Sequence, residues 1–270
     1  MTLNLDPQKT TQALITFIKD TITTAGFARA VLGLSGGIDS ALSCYMAARA
    51  LDPQNILALR LPYKTSSPQS LAHAQMVIDT TGVQSKTIPI TEPVDSILNH
   101  LPNATPVRRG NIMARVRMTI LYDQSAAFNG LVLGTSNKTE ILLGYSTIHG
   151  DAACALNPLG DLYKAQVIQL AEFMGIPQTI ITKPPSADLW PGQTDEDDLG
   201  FTYDDADNLL YQLIEESATV EECLQAGFEE DFVNSVIARV KRFRFKSILP
   251  PIGSTGQRPL AALDHLSAFR

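Results

Sequence analysis

The sequence predicts an α/β protein: a parallel, doubly wound sheet covered by helices, followed by a helical C-terminal portion. Three observations predict it. Short apolar runs alternate with segments of helical periodicity through the first half of the chain. A glycine-rich turn follows the first apolar run directly. After residue 150 the strand pattern stops and helical patterns continue. Strands that alternate with helices pair in parallel through crossovers, and such sheets bind ligands beyond the carboxyl ends of their strands.

Element by element, Leu14, Phe17, Ile18 and Ile22 recur at helical spacing and mark an amphipathic N-terminal helix that ends near Gly26. Arg29 to Ser35 (RAVLGLS) reads as a buried strand, and Ile38 to Ala50 as the helix after it. Asn55 to Leu61 is a second strand, closed by Pro62; Ser70 to Thr80 is the next helix. Ser85 to Ile90 is a third strand, Ser96 to Leu101 a short helix, and Asn111 to Phe128 a long helix with Arg115 and Arg117. Gly130 to Gly134 is a fourth strand. Leu162 to Met174, Tyr203 to Glu216 and Val233 to Arg244 are helices; Pro184 to Gly200 is a long loop rich in Pro, Gly and acids. No linker interrupts the pattern, so residues 1–270 read as one domain, with 250–270 as a weakly patterned tail expected to be partly mobile.

Composition narrows the function. The net charge of -7 argues against a nucleic-acid binder, which needs clustered Lys and Arg, but leaves room for a local nucleotide site. Cys44, Cys154 and Cys223 are scattered and form no C-x-x-C, so reduced thiols in a cytoplasmic protein are expected. No apolar run reaches the roughly 18 residues of a membrane span, and no signal peptide is evident.

The strongest local signal is Ser35-Gly36-Gly37-Ile38-Asp39-Ser40, after a strand and opening a helix. Glycines let backbone approach a ligand, and the N–H groups of a helix N-terminus bind anions. A carboxylate there repels phosphate unless a cation lies between them, so Asp39 reads as a magnesium ligand. The pattern is neither G-x-x-x-x-G-K-[ST] nor G-x-G-x-x-G.

S-G-G-x-D-S resembles the PP-loop of the N-type ATP pyrophosphatases, which have an adenine nucleotide alpha hydrolase-like, Rossmann-like fold. Within that superfamily the chain is similar to the NAD synthetase family, in its ammonia-dependent form. Asn111 to Arg117 resembles the family's N-x-x-A-R-x-R helix, and Gly134 to Glu140 its G-T-S-N-K-x-E segment. Gly144–Asp151, Pro158–Gln166 and Pro185–Leu189 follow in family order, so the resemblance runs from about the first helix to Pro251, nearly the whole chain.

The resemblance implies ATP-dependent amidation of deamido-NAD by ammonia, releasing AMP and pyrophosphate, with Mg2+ and a homodimer. It carries over Ser35, Gly36, Gly37, Asp39 and Ser40 to the pyrophosphate loop, with Thr135, Lys164 and Ser186 as further ATP contacts. Asp39 and Glu140 become magnesium ligands, and Asp39, Glu140 and Lys164 the catalytic group. Arg115, Asp151 and Lys246 become contacts to deamido-NAD. Taken singly, Glu140 would read as a solvated helix-start acid and Lys164 as a surface lysine; only shared order and spacing assigns them. His149 and the run Asp195 to Asp198 read as solvated loop residues. Phe245, Ile148 and Met113 depart from the family pattern. Other members, such as a GMP synthetase subunit, are disfavoured by the Arg115 helix and the Thr135–Glu140 segment. The chemistry needs a site shielded from water, and Ser186 to Gly200 is the expected lid.

Overall fold

The computed structural model describes residues 3–190 and 192–253. The chain runs α1 (Pro7–Thr24), β1 (Ala30–Gly33), α2 (Ile38–Ala50), β2 (Ile56–Arg60), α3 (Pro68–Thr81), β3 (Gln84–Thr87), α4 (Thr91–Asn99), α5 (Pro106–Phe128) and β4 (Leu131–Val132). Eight helices follow among the described residues, one of them of 3-10 type: α6 (Lys138–Leu143), α7 (Lys164–Phe173), α8 (Gln178–Ile181), α9 (Asp195–Leu199), α10 (Tyr203–Ile214), α11 (Val220–Gln225), α12 (Glu230–Phe243) and a 3-10 turn (Arg244–Lys246).

The strands form one parallel sheet in the order β3-β2-β1-β4. Successive side chains leave a strand on opposite faces, and both faces are apolar here. Ala30, Leu32, Ile56 and Ala58 pack against Ile18 and Ile22 of α1, Leu42 and Met46 of α2, and Val167 and Leu170 of α7. Val31, Leu57 and Leu59 face the other way, onto Val94 and Leu98 of α4 and Met113 of α5. A third cluster joins Leu143 of α6 and Tyr163 to Leu209 of α10, Cys223 of α11 and Val236 of α12. Cys44 and Cys223 are buried in α2 and α11 as small hydrophobes.

Several sequence expectations change. Phe17 belongs to the predicted apolar stripe yet is 42% exposed, while Ile18 and Ile22 carry the burial. The helices α3 and α5 start earlier than expected, at Pro68 and Pro106. In each, a Ser or Thr N-cap precedes a proline in the first turn: Ser67 accepts from Gln69 N–H, and Thr105 from Arg108 N–H. The residues of β3 (QSKT) are all exposed, as suits a polar edge strand; the ladder continues past it through Ile88 N–H to Arg60 O and Ile90 N–H to Pro62 O. Beyond β4, Leu133 bridges Leu156 in parallel, a further step of sheet that periodicity did not reveal. The expected 250–270 tail lies outside the described residues from 254 onward. Among the described residues no helix is long and apolar enough to cross a membrane.

Candidate active site

A cavity of about 730 Å³ opens at the carboxyl ends of β1, β2 and β4, where a parallel sheet places its ligands. Its floor is the loop from β1 into α2. Gly37 is the N-cap of α2 and offers no side chain to the first helical N–H groups. Those donors, with the positive end of the helix dipole, are left for an anion. The loop is held by its own serines. Ser40 Oγ accepts from Ser35 N–H at 3.2 Å and donates to Gly37 O at 3.0 Å, and Gly37 N–H donates to Ser35 Oγ at 3.2 Å. Gly36 has φ +81°, and a Cβ there would lie 2.1 Å from Ser70 O of α3. Its hydrogen side chain is therefore needed for backbone conformation and for the approach of α3 together.

Three distant segments converge beside this loop. Asp39, in the first turn of α2, accepts from Asn137 Nδ2 at 2.9 Å and from Lys164 Nζ at 2.5 Å. Glu140 Oε1 lies 3.9 Å from the same ammonium. The side chain of Lys164 is 5% exposed, so it is a buried lysine held between two carboxylates. Burial alone would lower its pKa, but Asp39 and Glu140 more than offset this and raise it. Glu140 is pushed up to about 8, first by burial and then by the charge of Asp39. Among the described residues no three His, Cys, Asp or Glu side chains group as metal ligands.

The other expected residues divide. Thr135 and Lys246 line the cavity; Lys246 Nζ donates to Gly144 O and Ser146 O at 2.7 and 2.6 Å. Asp151 also lines it, is open to solvent on one side, and accepts from Thr147 N–H at 2.8 Å; burial of its remaining surface raises its pKa. Ser186 reaches the wall, but its hydroxyl donates to Gln193 O at 2.7 Å within its own loop. Arg115 is exposed, donates to Ile148 O at 3.3 Å, and is not among the cavity-lining residues. Arg117, two residues on, does line the cavity and donates from Nε to Leu61 O at 3.0 Å.

Several residues escaped the sequence reading. Asn137 is fully buried; its Oδ1 accepts from Glu140 N–H at 2.9 Å, while Asn137 N–H donates to Glu140 Oε2 at 3.2 Å. This capping box ties Glu140 to the residue that holds Asp39. The N-x-x-E spacing was the available signal. The run Asp195 to Asp198 is a correction: it forms α9, and Asp195 is 5% exposed, accepting from Tyr145 Oη at 3.0 Å and Tyr203 Oη at 3.2 Å. Asp188 Oδ2 accepts from Ser67 N–H and Ser70 Oγ at 3.0 and 3.1 Å, so the segment from 184 to 200 is latched to α3 at one end and to Tyr145 and Tyr203 at the other. His149 is exposed, as a loop residue.

A parallel α/β sheet with S-G-G-x-D-S at the β1–α2 junction, and a buried acid–lysine–acid cluster beside it, defines a nucleotide-binding protein of the PP-loop class. The NAD synthase family model matches residues 10–250, and the chain belongs to that family. It is 52% identical to an NH(3)-dependent NAD(+) synthetase of Trichlorobacter lovleyi over 96% of this chain and 94% of that one. It is 50% identical to the protein of the same name from Fusobacterium nucleatum, covering 93% and 97%. Among solved structures, it resembles the NH3-dependent NAD synthetase of Campylobacter jejuni (35% identity, TM-score 0.80, covering 93% and 100%). It also resembles an NMN synthetase of Francisella tularensis (31% identity, TM-score 0.82, covering 93% and 99%).

Proposed function

We propose that this chain is a carbon–nitrogen ligase that amidates deamido-NAD with ammonia, converting ATP to AMP and pyrophosphate. The observation that carries this reading is the convergence of Asp39, Glu140 and Lys164 on the anion-binding start of α2, inside a cavity of nucleotide size. Family membership supplies the substrate.

The nicotinate carboxylate of the substrate attacks the α-phosphorus of ATP, and negative charge grows on the departing pyrophosphate. The free N–H groups at the start of α2 and the ammonium of Lys164 face that charge and stabilise it where it develops. Ammonia then displaces AMP from the mixed anhydride and forms the amide. Asp39 and Glu140 would hold Mg2+, which when bound screens the triphosphate. Two carboxylates suit an ion that takes one or two protein ligands and fills its shell with phosphate oxygens and water. Asp151 and Lys246, on another part of the wall, suit the nicotinate end. The family resemblance implies a homodimer, in which the exposed Arg115 would meet a dinucleotide that extends past one chain's own cavity.

The test is product analysis with the purified chain. Deamido-NAD, ATP and ammonium are expected to yield NAD, AMP and pyrophosphate, and ADP with phosphate would overturn the adenylation route. Free glutamine is expected to be a poor nitrogen donor. Nicotinic acid mononucleotide, offered in competition, is expected to be amidated much more slowly than the dinucleotide; the reverse preference would move the assignment to the mononucleotide.

A further inference from the structure

Asp207 lies on α10, outside the cavity wall, and no feature of the sequence singled it out. It is fully buried. Its two carboxylate oxygens reach two different helix starts. Oδ1 accepts from Thr139 Oγ1 at 2.5 Å, and Oδ2 accepts from Ala165 N–H at 2.8 Å. Thr139 Oγ1 in turn accepts from Lys164 N–H at 3.1 Å, closing a ring through both segments. The residues so held are the immediate neighbours of two site residues: Thr139 precedes Glu140 at the start of α6, and Ala165 follows Lys164 at the start of α7.

One helical turn earlier on α10, Tyr203 places its ring 5.3 Å from Lys164 Nζ and donates from Oη to Asp195 Oδ2 of the lid. Residues four apart share one helix face. One face of α10 thus holds the start of α7 at two points, the Ala165 N–H through Asp207 and the Lys164 ammonium against the Tyr203 ring.

We infer that Asp207 is a positioning residue for the amidation reaction: it clamps the starts of α6 and α7 so that Glu140 and Lys164 stand in fixed register opposite Asp39. This rests on the proposed function. A carboxylate is the group the position requires, because both partners donate and only an ionised carboxylate offers two acceptor oxygens. An amide offers one acceptor, and its NH2 would face either Ala165 N–H or Thr139 Oγ1. In the second case Thr139 loses the acceptor for its proton. The two site residues would still be present but held loosely, and small misplacements of such groups cost large factors in rate.

The experiment compares Asp207→Asn, Thr139→Val and Thr139→Ser in the NAD-forming assay, with folding followed by far-ultraviolet circular dichroism and urea denaturation. D207N and T139V are expected to fold and to lose at least tenfold in kcat, with KM for ATP and deamido-NAD within about threefold. The double variant is expected to be no slower than the worse single one, since both changes break the same link. T139S keeps the hydroxyl and loses a buried methyl, and is expected to retain at least half of the wild-type kcat. A residue that only supported the fold would give a different result: T139V and D207N would lose stability, because both leave buried polar groups unpaired, but kcat per folded molecule would stay at the wild-type value. That result overturns the inference. If D207N does not fold, the contrast between T139V and T139S decides. A wild-type chain that forms no NAD defeats the proposed function instead, so the two failures are distinguishable.

Discussion

Replacing Asp39 by Asn tests the centre of the site, because the structure removes the competing explanation for that residue. An acid in the first turn of a helix is often there for the helix, and Asn would then substitute at little cost. Here the N-cap is Gly37, and the Asp39 carboxylate spans outward to Asn137 Nδ2 and Lys164 Nζ. Both neighbours are donors, and Asn has one acceptor atom. It can satisfy one of them and must turn its own NH2 toward the other. An unsatisfied contact of this kind costs about 1–3 kcal/mol. With Asp39 neutralised, Glu140, 3.9 Å from the ammonium, loses the neighbouring negative charge that helped raise its pKa and can ionise as the counter-charge of Lys164, so the loss stays below the roughly 3–5 kcal/mol of a broken buried pair. At roughly 2–4 °C per kcal/mol, the melting point should fall by several degrees and the fold should survive. Catalysis should suffer more. Asp39 would act through the Mg2+ it holds, and loss of one preorganised charge-stabilising element costs on the order of 10²–10³ in kcat, or roughly 3–4 kcal/mol. The assay is pyrophosphate release and NAD formation as magnesium is titrated. Turnover within tenfold of wild type at limiting magnesium would refute the reasoning and leave Asp39 a structural residue.

Three further outcomes follow from the same geometry. Gly36→Ala is expected to unfold the loop or abolish soluble expression, since its Cβ would meet Ser70 O at 2.1 Å from a backbone at φ +81°; a urea midpoint equal to wild type would contradict this. Asp207, pushed up to about 6 by burial, binds its proton more tightly folded than unfolded, so its contribution to stability is present below pH ~4 and lost as pH rises through 6. Asp207→Asn should therefore flatten the fall in melting temperature across that window by about 2–3 kcal/mol in stability at most, and an unchanged slope would show that Asp207 does not titrate there. Asp188→Ala frees the segment from 184 to 200 from Ser67 and Ser70, and the expected result is AMP formed in excess over NAD as water reaches the anhydride; a ratio of one would remove the lid from that role.

Much was legible in the chain because the fold is built from local alternation. The apolar runs of β1 and β2 and the helix Ile38–Ala50 could be read directly, since a strand buried on both faces and a helix that follows a glycine turn have sequence patterns of their own. Residues Ser35 to Ser40 announced an anion site for the same reason: loop, glycines and helix start are consecutive. Order and spacing of motifs then reached Glu140 and Lys164, which carry no signal singly.

Only the tertiary structure decided what holds these groups together. Asp39, Asn137, Glu140 and Lys164 come from three separate segments, and nothing in one-dimensional spacing states that Asn137 bridges two of the acids or that Lys164 is 5% exposed. The acidic run from Asp195 looked solvated because charge favours water; packing overrode that preference by supplying Tyr145 and Tyr203 hydroxyls to a buried carboxylate. Arg115 and Arg117 lie two residues apart on α5, and two residues on a helix turn a side chain to a different face. Only the packing of α5 against β1 and β4 determines that Arg117 lines the cavity while Arg115 stays exposed.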